Sequence, residues 1–419
     1  MKKNCVIGGT VDLFNEEWSE LCNPSREAGL RQLEGFIPRA GRKYSNERNY
    51  DRGPNGRDNV SLLSPWIRYR LLSEEEVINA AVERFSFSTA EKFIQEVFWR
   101  SYFKGWLEHH PSVWNHYEND VARFIGELEH DTGLRIGYEA AVNGKTEFEC
   151  FNAWVRELSD NGYLHNHARM WFASIWIFSL KLPWVLGADF FLRHLIDGDA
   201  ASNTLGWRWV AGLHTKGKMY LARRDNIYKY TDGRFDPENL CKVYNPLQEP
   251  EVHPTVPLST PDQIPDREFI LLITEDDCLG GLNFLESNFS GAIGFAAPEL
   301  RSQLSVSDKV KDFTTRAVLD ALNSLGATET CLAQNYDEVV DLLQRKHASS
   351  GISDIVALEP TIGPIKTSLI ELKETLSKEG INLLLIRRNY DSFVWPHASR
   401  GFFKVKKKLP EFLSTFQSG

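Results

Sequence analysis

Apolar residues recur at three- and four-residue spacing along most of the first 240 residues. This spacing predicts amphipathic helices. It is clearest in SEEEVINAAVERF (73–85), AEKFIQEVFWRSYFKGWLEHH (90–110), FECFNAWVRELSDNG (148–162), HNHARMWFASIWIFSL (165–180) and WVLGADFFLRHLID (184–197). Ser73 and Glu76 have the spacing of a capping box at one helix start. Strand-like alternation is almost absent, so the pattern predicts an all-α domain over residues 1–243.

A proline-rich segment follows the helical pattern. The stretch YNPLQEPEVHPTVPLSTPDQIPDRE carries six prolines between Pro246 and Pro265. Proline in such density is unfavourable in both helix and sheet. We therefore predict an extended linker over residues 244–266.

The pattern changes again after the linker. Short, continuous apolar runs occur at FILLIT (269–274), GAIGFA (291–296), DIVAL (354–358) and NLLLIR (382–387), and amphipathic stretches separate them. Buried strands that alternate with helices are typical of a parallel sheet. The predicted fold class is thus multidomain α and α/β, with a Rossmann-like parallel α/β domain over residues 267–419.

One apolar stretch, residues 170–192, is long enough to raise the question of a membrane span. Lys181, Pro183 and Asp189 interrupt it, whereas a spanning helix needs about 20 nearly uncharged residues. We expect two shorter buried helices that are broken at residues 181–183, and no membrane insertion.

Composition narrows the class of protein. The apolar share is 42%, the charged share is 25% and the formal net charge is -9, as in ordinary globular proteins without a global nucleic-acid-binding charge. The six cysteines are scattered and form no CxxC pair, which argues against disulfides or a zinc site and favours a reducing compartment. No apolar h-region follows the first lysines. We expect a cytoplasmic monomer.

The candidate chemistry lies in HLIDGDAASNTLGWRW (194–209), where Asp197 and Asp199 directly follow an apolar run. Ionised carboxylates beside a core need a cation, a metal or a polar ligand. Arg169 is an obvious partner, and Asn203 and Trp207 share a helix face with the four-residue spacing. These residues suit a planar heteroaromatic ligand. The alternative is an internal salt bridge that only joins two helices.

Two further motifs leave alternatives open. In SLLSP (61–65), Ser61 and Ser64 precede a proline at a helix start, where hydroxyl and N–H groups suit a phosphate, but a simple N-cap would also account for Ser64. The histidine pairs at 109–110 and 165/167 lack the ligand number and spacing of a zinc site. We expect no metal.

These residues resemble the flavin-binding domain of the DNA photolyase/cryptochrome family. The resemblance is carried by GKTEFECFNAWVRELSDNGYLHNHARM (144–170) and LPWVLGADFFLRHLIDGDAASNTLGWRW (182–209), and in order before them by YSNERN (44–49), SLLSP and EVFWRSYFKGWLEHHPS (96–112). The segment WPHASRGFFKVKKKLPEF (395–412) is similar to the closing part of the family's α/β domain. Because that domain comes first in the family, the resemblance implies a circular permutation.

The resemblance implies FAD as cofactor and leaves open a second, antenna chromophore in the α/β domain. It assigns cofactor contacts to Tyr44, Ser61, Leu62, Leu63, Ser64, Arg100, Arg169, Asp197, Asp199 and Asn203. Among these, Arg169 and Asp197 would pair beside the isoalloxazine, and Asn203 would face flavin N5.

The implied activity is light-driven electron transfer from reduced flavin, which splits cyclobutane pyrimidine dimers in ultraviolet-damaged DNA. Trp207, Trp184, Asn203 and Glu96 would be catalytic, with Trp207 the nearest electron donor and Trp184 the next. The flipped-out lesion would contact Glu96, Trp99, Asn166, Met170 and Trp209. The (6-4) pattern would have histidines at 166 and 170, so cyclobutane dimers are the expected lesion. The alternative is a cryptochrome-like blue-light photoreceptor that binds FAD and signals through a protein partner without repair.

The chain departs from the family pattern at four points. Arg70 stands where a glycine is expected, Asn152 where an aspartate is expected and His167 where an arginine is expected. A third tryptophan of the electron relay is missing, and the candidates to replace it are Trp114, Trp154, Trp176 and Tyr138. DNA binding would need a local basic patch, drawn from Arg39, Arg42, Lys43, Arg48, Arg208, Lys216, Lys218, Arg223 and Arg224.

Overall fold

Helices precede the proline-rich segment and a parallel sheet follows it, in a computed structural model that describes residues 23–215, 217–279, 288–326 and 330–416. The helices of the first part are α1 (Arg26–Phe36), α2 (Arg42–Glu47), α3 (Ser64–Arg68), α4 (Glu74–Arg84), α5 (Phe87–His109), α6 (Pro111–His130), α7 (Thr132–Val142), α8 (Glu149–Asn161), α9 (Asn166–Ser174), α10 (Trp184–His194), α11 (Ala200–Ala211) and α12 (Arg224–Tyr230). The helical character predicted for this part of the chain is therefore confirmed for the residues that the structure describes.

The second part alternates strands and helices, as predicted. Its elements are β1 (Phe269–Thr274), β2 (Phe289–Phe295), α13 (Asp308–Ser324), β3 (Thr330–Ala333), α14 (Tyr336–Ser350), β4 (Asp354–Leu358), α15 (Pro364–Ser377), β5 (Asn382–Ile386), α16 (Asn389–Val394), α17 (Phe402–Lys406) and α18 (Leu409–Phe416). The strands pair in parallel in the order β3-β2-β1-β4-β5. This is a doubly wound order whose direction reverses between β1 and β4, and it confirms the Rossmann-like fold class.

Strand β1 is buried on both faces because different helices cover them. Leu271 and Ile273 pack into a hydrophobic core that also contains residues of α1, α4, α5 and α13. Ile270 and Leu272, which point to the opposite face, pack into a core with residues of α14 and α15. A strand covered on both sides reads as a continuous apolar run, which explains FILLIT. It also means that the helical part covers one face of the sheet.

Local signals mark the helix boundaries near the candidate site. Ser73 and Glu76 form both hydrogen bonds of the predicted capping box at the start of α4. The apolar stretch 170–192 is interrupted, as expected: α9 passes into a π-helical turn at Ile175–Ser179, and Lys181 has a φ of 55° before α10 begins. None of the helices in the described part of the chain is long and apolar enough to cross a bilayer.

The proline-rich segment is fixed against both parts of the molecule. Residues 231–268 contain no helix or strand, yet Val256 N donates to the His109 carbonyl at 2.8 Å, and Asp262 N donates to the Leu385 carbonyl at 3.0 Å. The irregular stretch is thus longer than the predicted linker over 244–266. Its backbone bonds position it as a strap rather than as a free tether, because they satisfy groups that a free tether would leave to water.

The C-terminal helices pack on α5, away from the sheet to which their sequence is adjacent. Tyr390 forms a hydrogen bond with Ser101 at 2.8 Å. A Cβ on Gly105 would lie 2.8 Å from the Trp395 ring and from Ala398, so a glycine is needed for this close approach. The core that contains these residues is shared between the helical part and residues 390–412. Residues 267–419 are therefore not separate from the helical part in packing.

Candidate functional site

The loop that joins α10 to α11 holds both aspartates of the candidate site. Arg169 Nη2 donates to Asp197 Oδ2 at 2.8 Å, and Arg169 Nε donates to the Leu164 carbonyl at 2.8 Å. The obvious partner in the sequence is thus the partner in the structure. Burial raises the pKa of Asp197, but the nearby Arg169 guanidinium outweighs burial and holds the pKa below its usual value. The carboxylate is therefore ionised at neutral pH.

Asp199 caps α11 and lies among cations. Its Oδ1 accepts a hydrogen bond from Ser202 N at 2.7 Å, as an N-cap side chain does. Its Oδ2 lies 3.6 Å from Arg100 Nη1. Burial raises the pKa of Asp199, but the positive charges of Lys104, Arg100 and Arg68 outweigh burial, and the pKa lies well below its usual value.

Buried polar atoms around this loop lack hydrogen-bond partners among the described residues. They are Asp197 Oδ1, Arg100 Nη1, Ser202 Oγ and Trp207 Nε1. A buried polar group without a partner costs about 1–3 kcal/mol, so a cluster of them indicates a place that a polar ligand completes. The mixture of donors and acceptors fits the hydrogen-bonding edges of a flavin.

Asn203 and Trp207 lie on α11, one turn apart. Asn203 Nδ2 donates to the Ala188 carbonyl at 2.8 Å, which uses a donor of the amide and leaves its carbonyl oxygen available to a ligand. Trp207 packs against α10 at Gly187, where an added Cβ would meet the Trp207 ring at 2.3 Å. Only glycine permits this approach, so α10 is shaped to receive the indole.

The residues proposed for the phosphates lie on α2 and at the start of α3. Leu62 adopts a left-handed φ of 57°, which turns the chain between Ser61 and α3. The N-cap of α3 is Leu63 and has no side-chain cap bond, so the N-cap interpretation of Ser64 is wrong. The Ser64 hydroxyl instead lies close enough to Asp197 to lower the pKa of that carboxyl.

Tyr44 connects the phosphate candidates to the lesion candidates through one arginine. Its hydroxyl is hydrogen-bonded to Arg48, and Arg48 forms an ion pair with Glu96. Burial raises the pKa of Tyr44 far above its usual value, so the phenol stays protonated. The structure thus brings Tyr44 and Glu96 together through Arg48.

Trp99 is covered on one face by the C-terminal segment. Its ring stacks on Phe402 with centroids 3.5 Å apart and an angle of 8° between the planes. Trp209 is 37% exposed and stacks on Tyr220, with centroids 5.7 Å apart. Asn166, the first residue of α9, is exposed. Because Phe402 already occupies one face of Trp99, a base can stack only on the other face in this conformation.

Two rows of aromatic rings run through the helical part near Trp207. In one row, Trp207 contacts Trp176 at 6.2 Å between centroids, and Trp176 contacts Tyr138 at 6.1 Å. In the other row, Trp184 contacts Tyr117 at 5.8 Å, and Tyr117 contacts Trp114 at 5.0 Å.

Trp154, the fourth candidate for the relay, belongs to neither row. It stacks on Trp171 with centroids 5.5 Å apart, and its Nε1 donates to Asp51 at 3.1 Å.

Arg70, which stands where a glycine is expected, keeps the backbone conformation that favours glycine. Its φ is 48°, a left-handed value that costs an ordinary residue about 1–2 kcal/mol. Its buried guanidinium donates to Asp391 at 2.8 Å and to Asp277 at 3.2 Å, and lies 3.5 Å from Glu74. The ion pairs offset the backbone cost and join the helical part to the second part of the chain.

The other two departures also have local partners. Asn152 Oδ1 accepts from Thr146 N at 2.9 Å while its Nδ2 donates to the Thr146 carbonyl at 2.7 Å, and an aspartate cannot make the second bond. His167 bonds to the Asn49 carbonyl at 2.9 Å and stacks on Trp171. Both substitutions thus stabilise loops near the site.

The predicted basic patch needs a correction. Arg208 is 3% exposed, and both of its terminal nitrogens donate to the Glu249 carboxylate at 2.6 Å, so it is not a surface charge. A guanidinium buried in a bidentate pair with a carboxylate is not accessible to a DNA phosphate. Arg48 and Arg224 are also engaged by carboxylates, and Lys216 lies outside the described residues.

Arg68 was not predicted as a site residue, although it contacts both the Asp197–Asp199 loop and the acidic residues that follow β1. Its Nε donates to the carbonyl of Gly198, between the two aspartates, at 2.7 Å. Its other nitrogens lie 2.8 Å from Asp276 and 3.3 Å from Glu275. The sequence feature that could have indicated this role is the acidic run at 275–277, directly after β1. Buried carboxylates there need cations from elsewhere in the fold.

A cavity of about 20 Å³ lies at the carboxyl ends of β1 and β4, where doubly wound sheets bind ligands. It is lined in part by Arg68, Asp199, Glu275, Arg301 and Gly363, and its volume suits a water molecule. The second, antenna chromophore stays a prediction.

Residues 93–250 match the family model described as the FAD binding domain of DNA photolyase. The chain is 31% identical over 183 residues to a deoxyribodipyrimidine photo-lyase of Streptomyces griseus, covering 41% of this chain and 38% of the relative. It is 31% identical over 218 residues to the enzyme of that name from Thermus thermophilus, covering 52% of this chain and 49% of the relative. The matches thus span less than half the length of these relatives.

Two solved structures overlap with part of the chain. The match to a cryptochrome of Synechocystis covers 50% of this chain and 43% of the cryptochrome, with 25% sequence identity and a TM-score of 0.40. A class III photolyase of Agrobacterium tumefaciens gives the same coverage and identity with a TM-score of 0.41.

Proposed function

Through residues 93–250 the chain belongs to the DNA photolyase/cryptochrome family, and from that premise we propose that it binds FAD at the Asp197–Asp199 loop and repairs cyclobutane pyrimidine dimers in DNA. The observation that carries the proposal is the Arg169–Asp197 pair. One carboxylate oxygen is bound at 2.8 Å, and the other is buried without a partner among the described residues. Arg100 Nη1 and Ser202 Oγ also lack hydrogen-bond partners among the described residues, so a polar ligand at this loop would satisfy donors and an acceptor together.

The residues of the chain have distinct parts in this proposal. Arg169 fixes Asp197, so that Oδ1 accepts from the ligand. Arg100 supplies a free donor beside Asp199, and Asn203 presents its amide oxygen. Tyr44 and Ser61–Ser64 are the proposed phosphate contacts. Bound FAD would supply the light absorption and the transferred electron, which no side chain provides.

For the substrate we propose the cavity wall predicted from the sequence, formed by Glu96, Trp99, Asn166, Met170 and Trp209. An indole face stacks on a base, and a carboxyl group bonds to the polar edges of a pyrimidine. Two of these residues are restrained by the fold, because Glu96 pairs with Arg48 and Trp99 stacks on Phe402. This restraint holds both side chains in one conformation before the lesion binds.

We propose that the electron relay runs from Trp207 to Trp184 and ends at Trp114, with Tyr117 between the last two rings. The Glu118 carboxyl lies beside the Trp114 indole, and a carboxylate stabilises the positive charge that an oxidised indole carries. The other row ends at Tyr138, whose hydroxyl accepts from Arg193 at 3.1 Å. This guanidinium is paired with Asp189 at 2.8 Å, so the pair adds no net negative charge that would stabilise an oxidised Tyr138, and this row is the less favourable path.

We also propose two domains, 1–243 and 267–419, in the permuted order that the resemblance implies. The packing of the C-terminal helices on α5 supports this order, since residues 402–412 lie on the helical part. A connecting strap without helix or strand makes permutation physically tolerable. The activity of the whole protein is part of the proposal, because the matched relatives are longer than the matched region.

The test is a repair assay with the full chain. Purified protein, FAD and a reductant are mixed with an oligonucleotide that carries one cyclobutane dimer, and the mixture is exposed to blue light or kept dark. We expect dimers to disappear only in the light and only with FAD present. Intact dimers despite bound FAD would contradict the repair activity.

A second candidate function, a photoreceptor without repair, is favoured by one observation. Phe402 covers a face of Trp99, and a receptor has no need of an open lesion cavity. Phe402→Ala separates the two functions. Faster repair in this variant supports an enzyme with a partly covered cavity, whereas absence of repair in both forms, with FAD bound and photoreduced, supports the receptor.

A further inference from the structure

A cluster of histidines and carboxylates lies outside the proposed flavin site, where the proline-rich strap crosses α6. On α6, His116 and Asp120 are four residues apart and share one face. On the strap, Glu249, Glu251 and His253 alternate along an extended chain, so they point to the same side. The residue between the last two, Val252, is 84% exposed, which agrees with this alternation.

The distances within the cluster suit a single small cation. His116 Nε2 lies 3.2 Å from Asp120 Oδ2, 3.7 Å from Glu249 Oε1 and 3.6 Å from Glu251 Oε2. The donor atoms of His116, Glu249 and Glu251 all lie within 4.8 Å of one another. Donors bound to one zinc ion at about 2.0–2.2 Å are about 3–4 Å apart. Only small side-chain movements separate this arrangement from coordination.

His253 provides an independent indication of a ligand. Its side chain is 10% exposed, and its Nε2 is buried without a hydrogen-bond partner among the described residues, 3.2 Å from Glu249 Oε2. Its other nitrogen, Nδ1, bonds to Ser112 Oγ at 3.0 Å. This contact holds the ring with Nε2 directed at Glu249, and outer partners of this kind orient metal-bound histidines.

The local charge also calls for a cation. Asp120, Glu249 and Glu251 carry three negative charges, while Arg208 pairs with Glu249 and Arg123 pairs with Asp120. One negative charge is left over. Arg208 does not block Glu249 as a ligand, because each carboxylate oxygen has a second lone pair.

We propose that His116, His253, Glu249 and Glu251 bind one first-row divalent cation of the zinc type, with Asp120 adjacent, and that the cation clamps the strap to α6. Two imidazoles with carboxylates are a donor set that zinc prefers and magnesium does not. From the sequence no metal is expected, because His116 and His253 are far apart along the chain and have no ligand spacing. The proposal does not depend on flavin binding.

Zinc titration of the full chain tests the clamp. Protein treated with a chelator and then dialysed is titrated with ZnCl₂ by calorimetry, with MgCl₂ as the control cation. We expect one equivalent of zinc with a Kd of about 1 µM or below, which corresponds to about -8 kcal/mol. Magnesium binding of equal strength, or no zinc binding at all, would overturn the proposal.

Variants locate the site. Glu251 is 45% exposed, so Glu251→Gln changes a surface residue that is unimportant for folding, and we expect it to weaken zinc binding about tenfold. His116→Ala is expected to weaken it about a hundredfold. His130→Ala, at the exposed end of the same helix, is the matched control. Loss of affinity in the control alone, or unchanged affinity in both site variants, contradicts the assignment.

The visible absorption of bound Co²⁺ reports directly on the ligands of the metal, and a substitution that only affects packing leaves it unchanged. Co²⁺ bound to two imidazoles and carboxylates in a four-coordinate site gives visible absorption bands. These bands should appear at one equivalent and be absent in His116→Ala. Bands that persist unchanged in this variant would place the metal elsewhere.

Discussion

Two acidic stretches of this chain look alike in sequence and differ in the fold. Asp197 and Asp199 follow the apolar end of α10, and Glu275, Asp276 and Asp277 follow the apolar strand β1. Both place buried carboxylates directly after core residues.

After β1, each carboxylate meets an arginine from elsewhere in the fold. Arg68 lies near Glu275 and Asp276, Arg301 lies 3.3 Å from Glu275, and Asp277 pairs with Arg70 and Arg388.

After α10, by contrast, Asp197 has one oxygen without a partner, and Asp199 lies 3.6 Å from Arg100. The same local pattern thus gives carboxylates that are all paired at Glu275–Asp277, and a buried carboxylate oxygen without a partner among the described residues at Asp197. The lesson is that a buried carboxylate indicates a ligand only where the fold leaves its hydrogen-bonding capacity unfilled.

The largest expected effect comes from disrupting the Glu275–Asp277 network. Arg70→Met removes the partner of three buried carboxylates, and loss of one partner of a buried pair costs about 3–5 kcal/mol. We expect the free energy of unfolding, measured by urea denaturation, to fall by this amount while FAD still binds.

The control is Arg345→Met, since Arg345 is 67% exposed and pairs with Asp341 on the same helix. That change should cost about 0.5 kcal/mol or less. If Arg70→Met loses FAD at a temperature at which the variant is folded, the Glu275–Asp277 network also supports cofactor binding. The proposed difference between the two acidic stretches would then be wrong.

The next largest effect is expected on the affinity for FAD, which should depend on Asp197 but not on the Glu275–Asp277 network. Asp197→Asn keeps the shape but removes the charge opposite Arg169. We expect the Kd for FAD to rise about a hundredfold, or about 2.7 kcal/mol, in a fluorescence titration. Asp277→Asn is the matched change in the Glu275–Asp277 network and should reduce stability with FAD affinity unchanged. Equal FAD affinity in both variants would show that the loop is not the cofactor site.

Acid should destabilise the protein through buried histidines before it protonates Asp197 or Asp199. Burial lowers the pKa of His165 from 6.5 to about 4, so its contribution is present above pH 6.5 and is lost as the pH falls towards 4. The loss at pH 5 is about 2 kcal/mol. The pKa of Asp197 and Asp199 is lowered, so their contribution is lost only below about pH 3.8.

Thermal melts from pH 7 to pH 4 measure this dependence. His165→Gln should make the decline between pH 6.5 and pH 5 shallower by this amount, because glutamine cannot be protonated there. The rest of the decline should remain, since burial also lowers the pKa of His194 and His214 to about 4. A decline that keeps its full slope in this variant would assign the acid sensitivity to other groups.

The smallest effect concerns the end of the relay. Trp114→Phe removes the last indole beside Glu118, and we expect flavin photoreduction under steady blue light to slow about tenfold, or about 1.4 kcal/mol. Trp207→Phe is the positive control and should slow photoreduction severely with FAD still bound. Trp154→Phe, outside both rows, should leave the rate unchanged. A slow rate in Trp176→Phe with a normal rate in Trp114→Phe would place the relay in the other row.

Local patterns were sufficient to predict many of the elements, although strand β3 (Thr330–Ala333) was not among the predicted runs. The helical spacing before residue 240, the capping box at Ser73 and the four apolar runs after residue 268 are properties of neighbouring residues, and the structure confirms all of them. Contacts between residues that are distant in the sequence could not be predicted from local patterns. The docking of residues 390–412 on α5 depends on Gly105 and Trp395, which are almost three hundred residues apart.

The same distinction applies to the candidate site, where only contacts within recognisable motifs could be predicted. The pairing of Arg169 with Asp197 was expected because both residues lie in the same recognisable motifs. The role of Arg68 and the left-handed Arg70 was not, because their partners at 275–277 and 391 belong to another part of the chain. The exposed position assumed for Arg208 was wrong for the same reason, since Glu249 reaches it from the strap.

A crystal structure of the protein soaked with FAD tests the central claim most directly. We predict electron density for the flavin ring system in contact with Asp197 Oδ1 and next to Asn203, with the Glu275–Asp277 network unchanged. Flavin density at another place, or Asp197 and Arg169 enclosed by protein side chains with every polar atom paired, would contradict the account.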